Sequence, residues 1–187
     1  MIMFLIFYTL ATTLGALFIL QGLILLTRRK FMVRREYDRV LHAFFIILGP
    51  ILLLNKMGHE TRLLFIGVLP FIVFVIIVTR GRYTIYNVNT QMVSSALTDI
   101  LEAKGMSYEE EKSFIIFKDY DNKRISYTQS LNSVEINLRD ARKLRFYEEL
   151  RTELRSGIKD INLTVFPATG LFFIVIGAIL IVALQYL

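Results

Sequence analysis

Cysteine is absent from the chain. That excludes disulfides, thiolate-held zinc, iron–sulfur clusters and thiol catalysis, and it leaves the redox compartment open. Histidine is scarce: His42 and His59 fall on opposite faces of the membrane arrangement drawn below, too few and too far apart for a metal site or a Ser–His–Asp relay. His42, next to Arg39, reads as an interfacial, neutral, hydrogen-bonded histidine. The glycine-rich phosphate and dinucleotide loops, the zinc-protease helix and the nucleophile elbow are all missing. There is no internal repeat and no low-complexity tract. The expectation is a protein that is not an enzyme and holds no cofactor.

What the chain does have is apolar length. Of its 187 residues 55% are hydrophobic, and the mean hydropathy is +0.53, more than a water-exposed domain of this size usually carries. Residues 1–27 contain no ionisable side chain except Tyr8, enough to cross a hydrocarbon core of roughly 30 Å. Two shorter apolar segments follow at about 40–58 and 63–79, joined by a tight hairpin near Lys56–Arg62, and a fourth closes the chain at 162–187. Pro50 and Pro70 each remove a backbone hydrogen bond and are expected to kink the second and third helices. Gly170, Gly177 and Ala178 offer small side chains where a neighbouring helix can approach closely.

Arg28, Arg29, Lys30, Arg34, Arg35 and Arg39 follow the first apolar run, and Arg80 and Arg82 follow the third. Basic residues flanking spans stay on the cytoplasmic side. The sequence thus predicts a polytopic α-helical protein of the cell membrane with four transmembrane helices, both termini outside and residues 80–161 inside.

Residues 80–161 form a polar island with short periodic segments. Tyr83–Val88 reads as a strand. Thr90–Lys104 reads as a helix stopped by Gly105. Strands follow at Phe114–Phe117, around Ile125 and Tyr127, and at Val134–Leu138. Asp140 is positioned to cap a second amphipathic helix through Leu144, Tyr147, Leu150, Leu154, Ile158 and Ile161. The expected order is β-α-β-β-β-α, a small α+β domain inserted between the third and fourth spans.

Several constellations in the island were weighed for chemistry. Asp119-Tyr120-Asp121-Asn122 has carboxylates two apart, but the glycine and glutamate of a calcium loop are replaced by Arg124 and Ser130. It reads as a hairpin turn. Glu109–Glu111 reads as a solvated edge that discourages aggregation. Arg139, Arg142, Lys143 and Arg145 crowd the expected start of the second helix, where the macrodipole disfavours cations. Pairing with Glu148, Glu149 and Glu153 offers one explanation; an external anion offers another. With the six basic residues of 28–39, these four are the expected contacts for anionic lipid headgroups or another anion. No nucleic-acid partner is expected, because the island is nearly charge-balanced and lacks a stacking platform.

The leading expectation is an accessory or regulatory subunit whose internal domain docks a protein partner, or a second copy, or senses a small anionic ligand. One competitor is an oligomeric transporter or channel subunit. Another is a membrane enzyme for lipid-linked substrates, which would need His42, Arg82 and Asp160 to converge.

Overall fold

The computed structural model describes residues 2–56 and 62–185. In chain order the elements are α1 (Ile2–Leu26), β1 (Phe31–Arg34), α2 (Arg35–Lys56), α3 (Arg62–Thr79), β2 (Arg82–Tyr86), α4 (Thr90–Ala103), β3 (Tyr108–Glu111), β4 (Phe114–Phe117), β5 (Lys123–Ser130), β6 (Ser133–Asn137), α5 (Tyr147–Asp160) and α6 (Ala168–Gln185), with a 3-10 turn at Asp140–Lys143. They form two compact units: a helical one of Met1–Leu26, Glu36–Thr79 and Thr169–Leu187, and a sheet-bearing one of Thr27–Arg35 and Arg80–Ala168.

In the helical unit, Ala11, Leu14 and Ile51 form a small core joined by Ile47, Val68 and Leu180. Helices α1 and α6 meet at glycines seven residues apart on each helix. A Cβ on Gly22 would lie 2.6 Å from the Gly170 carbonyl oxygen, and one on Gly177 would lie 2.6 Å from that of Gly15. Backbones this close leave no room for a side chain.

Among the described residues no helix is long and apolar enough to cross a membrane, and this overturns the four-span architecture and the multi-pass cell-membrane placement. A span needs about 20 consecutive apolar residues. The α3 and α6 helices have 18 residues each. The α2 helix opens with Arg35, Glu36, Asp38 and Arg39. The last helix starts at Ala168, just after Pro167, instead of at 162, because 161–167 is not helical. Pro70 lies inside α3 and α2 continues through position 50. The hairpin at 57–61, with His59, lies outside the described residues. Leu20, Leu23, Ile66, Phe74, Phe172 and Ile179 remain exposed on this unit.

The sheet of the second unit has six strands, all antiparallel, in the order β1-β2-β6-β5-β4-β3, so the expected four-strand order is also corrected. Side chains alternate across each strand, and on one face Met32, Tyr83, Ile85, Val134, Ile136, Ile125, Ile115 and Phe117 are buried beneath α4 and α5. Those helices contribute Val93, Leu97 and Leu101, and Leu150, Leu154 and Ile158. Asn89 caps α4, its Oδ1 accepting the Met92 amide at 2.9 Å. Lys104 at the far end of α4 reaches Glu149 and Glu153 of α5 at 2.7 and 3.1 Å. These glutamates therefore tie the two helices together and do not pair with Arg145. The Glu149 hydrogen bond raises the Lys104 ammonium above its ordinary range.

At one end of the sheet a buried amide pair does the joining. Asn132 and Asn87 are each 1% exposed. Asn132 Nδ2 donates to Asn87 Oδ1 at 2.6 Å, and Asn87 Nδ2 donates to the Arg29 carbonyl at 2.9 Å. Asn87 has φ of 60°, a left-handed backbone that asparagine tolerates better than most residues.

Two substitutions test this packing. Gly22→Val is expected to destabilise the helical unit by about 1–3 kcal/mol through overpacking, whereas Gly67→Ala, with nothing within 4 Å of the added atom, should be neutral or mildly stabilising. Thermal unfolding of both variants against the parent checks the contrast. Asn132→Leu removes the Asn132 amide donor from buried Asn87 Oδ1 and is expected to cost roughly 1–3 kcal/mol, read by denaturant titration.

Candidate functional site

The strand register, more than the order of residues along the chain, decides which cations meet. Arg34 at the end of β1 pairs across from Tyr83, next to Arg82, which begins β2 and pairs with Asn137 at the end of β6. Beyond β6 the chain turns back over the start of β2. The Leu138 amide donates to the Gly81 carbonyl at 3.0 Å, the Arg139 amide to Asn137 Oδ1 at 3.1 Å, and Arg139 Nε to the Arg80 carbonyl at 3.5 Å. A Cβ on Gly81 would lie 3.0 Å from Arg142 Cδ. Gly81 has φ of 82°, so glycine serves there both for the turn and for the close approach.

One end of the sheet thereby collects Arg34, Arg35, Arg80, Arg82, Arg139 and Arg142. Glu135, on the face not covered by helices, pairs with Arg35 and lies 3.6 Å from Arg82 Nη1. Arg82 Nε is buried and has no hydrogen-bond partner among the described residues. Arg34, Arg80, Arg139 and Arg142 are exposed. The site presents planar, permanently charged forks, suited to bidentate contact with oxyanions.

Of the ten basic residues singled out in the sequence, Arg34, Arg35, Arg139 and Arg142 gather here. Strand β1 separates Arg28, Arg29 and Lys30 from them by its own length, about 13 Å for four residues. Lys30 Nζ is instead held by the Ile161 carbonyl at 2.7 Å, and Arg28 adopts φ of 58°. Lys143 and Arg145 are exposed just past the end of the 3-10 turn's first residues and before α5. Arg39 belongs to the helical unit. Arg80, which in the sequence signalled only orientation, and Arg82, named there besides only for a lipid-linked enzyme site with His42 and Asp160, are members that sequence reasoning did not assign to an anion site.

The dipole argument for 139–145 also changes. Asp140 opens the 3-10 turn, Leu144 is extended, and α5 begins only at Tyr147. Its first turn holds Glu148 and Glu149, the favourable sign for a helix N-terminus. Glu148 pairs with Arg151 at 2.7 Å.

The other candidates resolve as follows. His42 Nδ1 lies 2.6 Å from the Asp38 carbonyl, to which it donates, and its ring contacts Phe18 and Phe173 at 5.6 and 5.3 Å. Asp119 Oδ2 accepts the Ser107 amide at 3.1 Å, and Asp121 and Asn122 both have φ of 52°, the geometry of a turn. Among the described residues no group of histidine and carboxylate side chains converges to hold a metal ion.

A second titratable feature lies under the site. The hydroxyls of Tyr83 and Tyr147 are 2.9 Å apart in the core, and the Arg151 guanidinium stands 5.9 Å from the centre of the Tyr147 ring. Burial, then the Tyr83 hydrogen bond, push the Tyr147 phenol up to about 12. Comparison with protein-family models, with characterised proteins and with solved structures finds no match for the chain.

Because the Tyr147 phenol ionises more readily in the unfolded chain, its contribution to stability is complete below its ordinary value of 10.0 and declines as pH rises towards about 12. Denaturation midpoints are expected to fall between pH 10 and 12. In Tyr147→Phe that part of the fall should disappear; an unchanged alkaline slope in the variant would exclude the assignment.

Proposed function

We propose that the sheet-bearing unit is a non-catalytic binding module for phosphate-bearing anions, with Arg34, Arg80, Arg82, Arg139 and Arg142 as the contact set. The observation that carries this reading is the convergence of three chain segments, 34–35, 80–82 and 139–142, on one end of the sheet. Folding stability alone does not favour gathering like charges, which repel one another. Glu135 is already engaged by Arg35 and Arg82, and Asp140 within the third segment belongs to the 3-10 turn. A buried guanidinium nitrogen without a partner, as at Arg82 Nε, is the kind of group that an external oxyanion satisfies.

Titration of the full chain with pyrophosphate by calorimetry tests this. Binding that weakens with added salt is expected, and Arg142→Glu and Arg34→Glu should each lower the affinity by about tenfold or more. Lys143→Glu, at the margin, should have a smaller effect. Anionic against neutral phospholipid vesicles, run as a separate arm, tell a free phosphate from one carried on a headgroup. Absence of binding in both arms, or equal loss in all three variants, would sink the reading.

A further inference from the structure

The same unit carries a second concavity with a different chemistry. A groove of about 580 Å³ is lined by Thr90, Gln91, Ser94, Ser95 and Thr98 of α4, by Glu110, Glu111 and Lys112 at the tip of the β3–β4 hairpin, and by Tyr127 of β5. Its volume falls in the range of small-molecule sites.

The fold explains why the groove exists. Strand β4 pairs with β5 only as far as Ser126, and after one further bond, from the Tyr127 amide to the Ser113 carbonyl at 2.9 Å, Thr128–Ser130 continue along β6 with no strand on their other side among the described residues. The first turns of α4 overlie that gap, fixed by the Asn89 cap and by Gln129, whose Oε1 accepts the Thr90 amide at 2.7 Å. The wall is therefore made of pinned elements, and its polar groups are pre-oriented. Ser94, 8% exposed, donates its hydroxyl to Glu110, and Tyr127, 3% exposed, directs its hydroxyl to the Glu111 carbonyl at 3.4 Å. Thr98 donates to the Ser95 carbonyl at 2.9 Å. The Glu110 carboxylate keeps acceptor capacity towards the groove, since one hydrogen bond uses only part of what a carboxylate accepts, whereas Glu111, the next residue of β3, turns its side chain to the other face of the sheet and offers the groove its backbone.

The lining decides the ligand class. It offers hydroxyls and an amide that both donate and accept, the Glu110 carboxylate, and one ammonium. Apolar ligands gain little from such walls, and phosphates meet a carboxylate with no arginine. A compact ligand rich in hydroxyl groups and carrying a cationic amine satisfies both parts, with its hydroxyls towards Ser95, Thr98 and Gln91 and its ammonium towards Glu110. We infer that this groove binds an amine-bearing polyol of the aminosugar kind, independently of the arginine end.

Nuclear magnetic resonance titration of the full chain with D-glucosamine, D-glucose and N-acetylglucosamine tests this. D-glucosamine is expected to shift the amide resonances of 90–98 and 110–112, with the two uncharged sugars at least about tenfold weaker. Glu110→Gln, which keeps an acceptor for Ser94, should erase that preference, and Ser95→Ala, on the exposed side of α4, should weaken all three sugars while leaving the fold untouched. Pyrophosphate should leave these resonances unmoved, so failure at the arginine end is read separately from failure here. Absence of shifts at 90–98 and 110–112, equal response to the three sugars, or insensitivity to both variants would overturn the proposal.

Discussion

The pairing of β2 with β6 is the constraint on which the sheet-bearing unit depends. Register fixes it: Tyr83 opposite Ile136 and Ile85 opposite Val134, apolar pairs that lie under α4 and α5. A slip of one residue would turn these four side chains out to the polar face and bring Thr84 and Glu135 into the core. Strand β1 is laid on one side of this pair and β5 on the other, so three distant parts of the chain take their positions from it. The convergence of 34–35, 80–82 and 139–142 is a consequence of that register, and the buried amides of Asn87 and Asn132 close the opposite end.

Much of this unit is legible in the sequence, because its central elements announce themselves by period. Val134, Ile136 and Leu138 alternate, and all are buried. Asn89 and Gly105 bracket α4, the one capping its first turn and the other adopting φ of 64° just beyond it. The edges are not legible. Strand β3 is Tyr-Glu-Glu-Glu and has no apolar alternation, since an edge strand needs only one side of its backbone paired and one residue, Tyr108, packed. Strand β1 is four residues flanked by arginines, too short for a period to emerge, and its setting between an apolar run and a basic run suggests a connecting loop. Only the partner strand, 50 residues away, makes it a strand. The start of α5 failed differently: Asp140 is a sound capping signal, but a 3-10 turn uses it, and the helix proper waits for Tyr147.

The helical unit shows how composition can mislead about architecture. Apolar content and basic flanks argue for spans, yet among the described residues no helix is long and apolar enough to cross a membrane. What composition did point to is close helix packing. Gly170 and Gly177 meet Gly22 and Gly15 across the α1–α6 contact, where backbone-to-backbone approach replaces the interlocking of larger side chains. The residues Leu20, Leu23, Ile66, Phe74, Phe172 and Ile179 form outward faces too apolar to be accounted for by packing within the unit.

Charge within the sheet-bearing unit is divided by the fold, although the sequence intermixes it. Asn137, beside which Arg82 and Arg139 sit, pairs with Ser126 at the point where β4 ends on β5; Gln129, three residues further along β5, already belongs to the end where α4 begins. The arginines flank Asn137, and Glu111 lies in the same cross-strand row three strands away, opposite Phe114. At roughly 4.8 Å between neighbouring strands, the two are separated by more than a Debye length at physiological ionic strength. Neither field then cancels the other in water. Glu135 is the exception that supports the division: lying among the arginines, it engages Arg35 and Arg82 and leaves Arg34, Arg80 and Arg142 facing solvent. One carboxylate placed there orders two guanidinium groups without neutralising the rest, so the same residue that completes the open face of the sheet also aligns the cations that an oxyanion would meet.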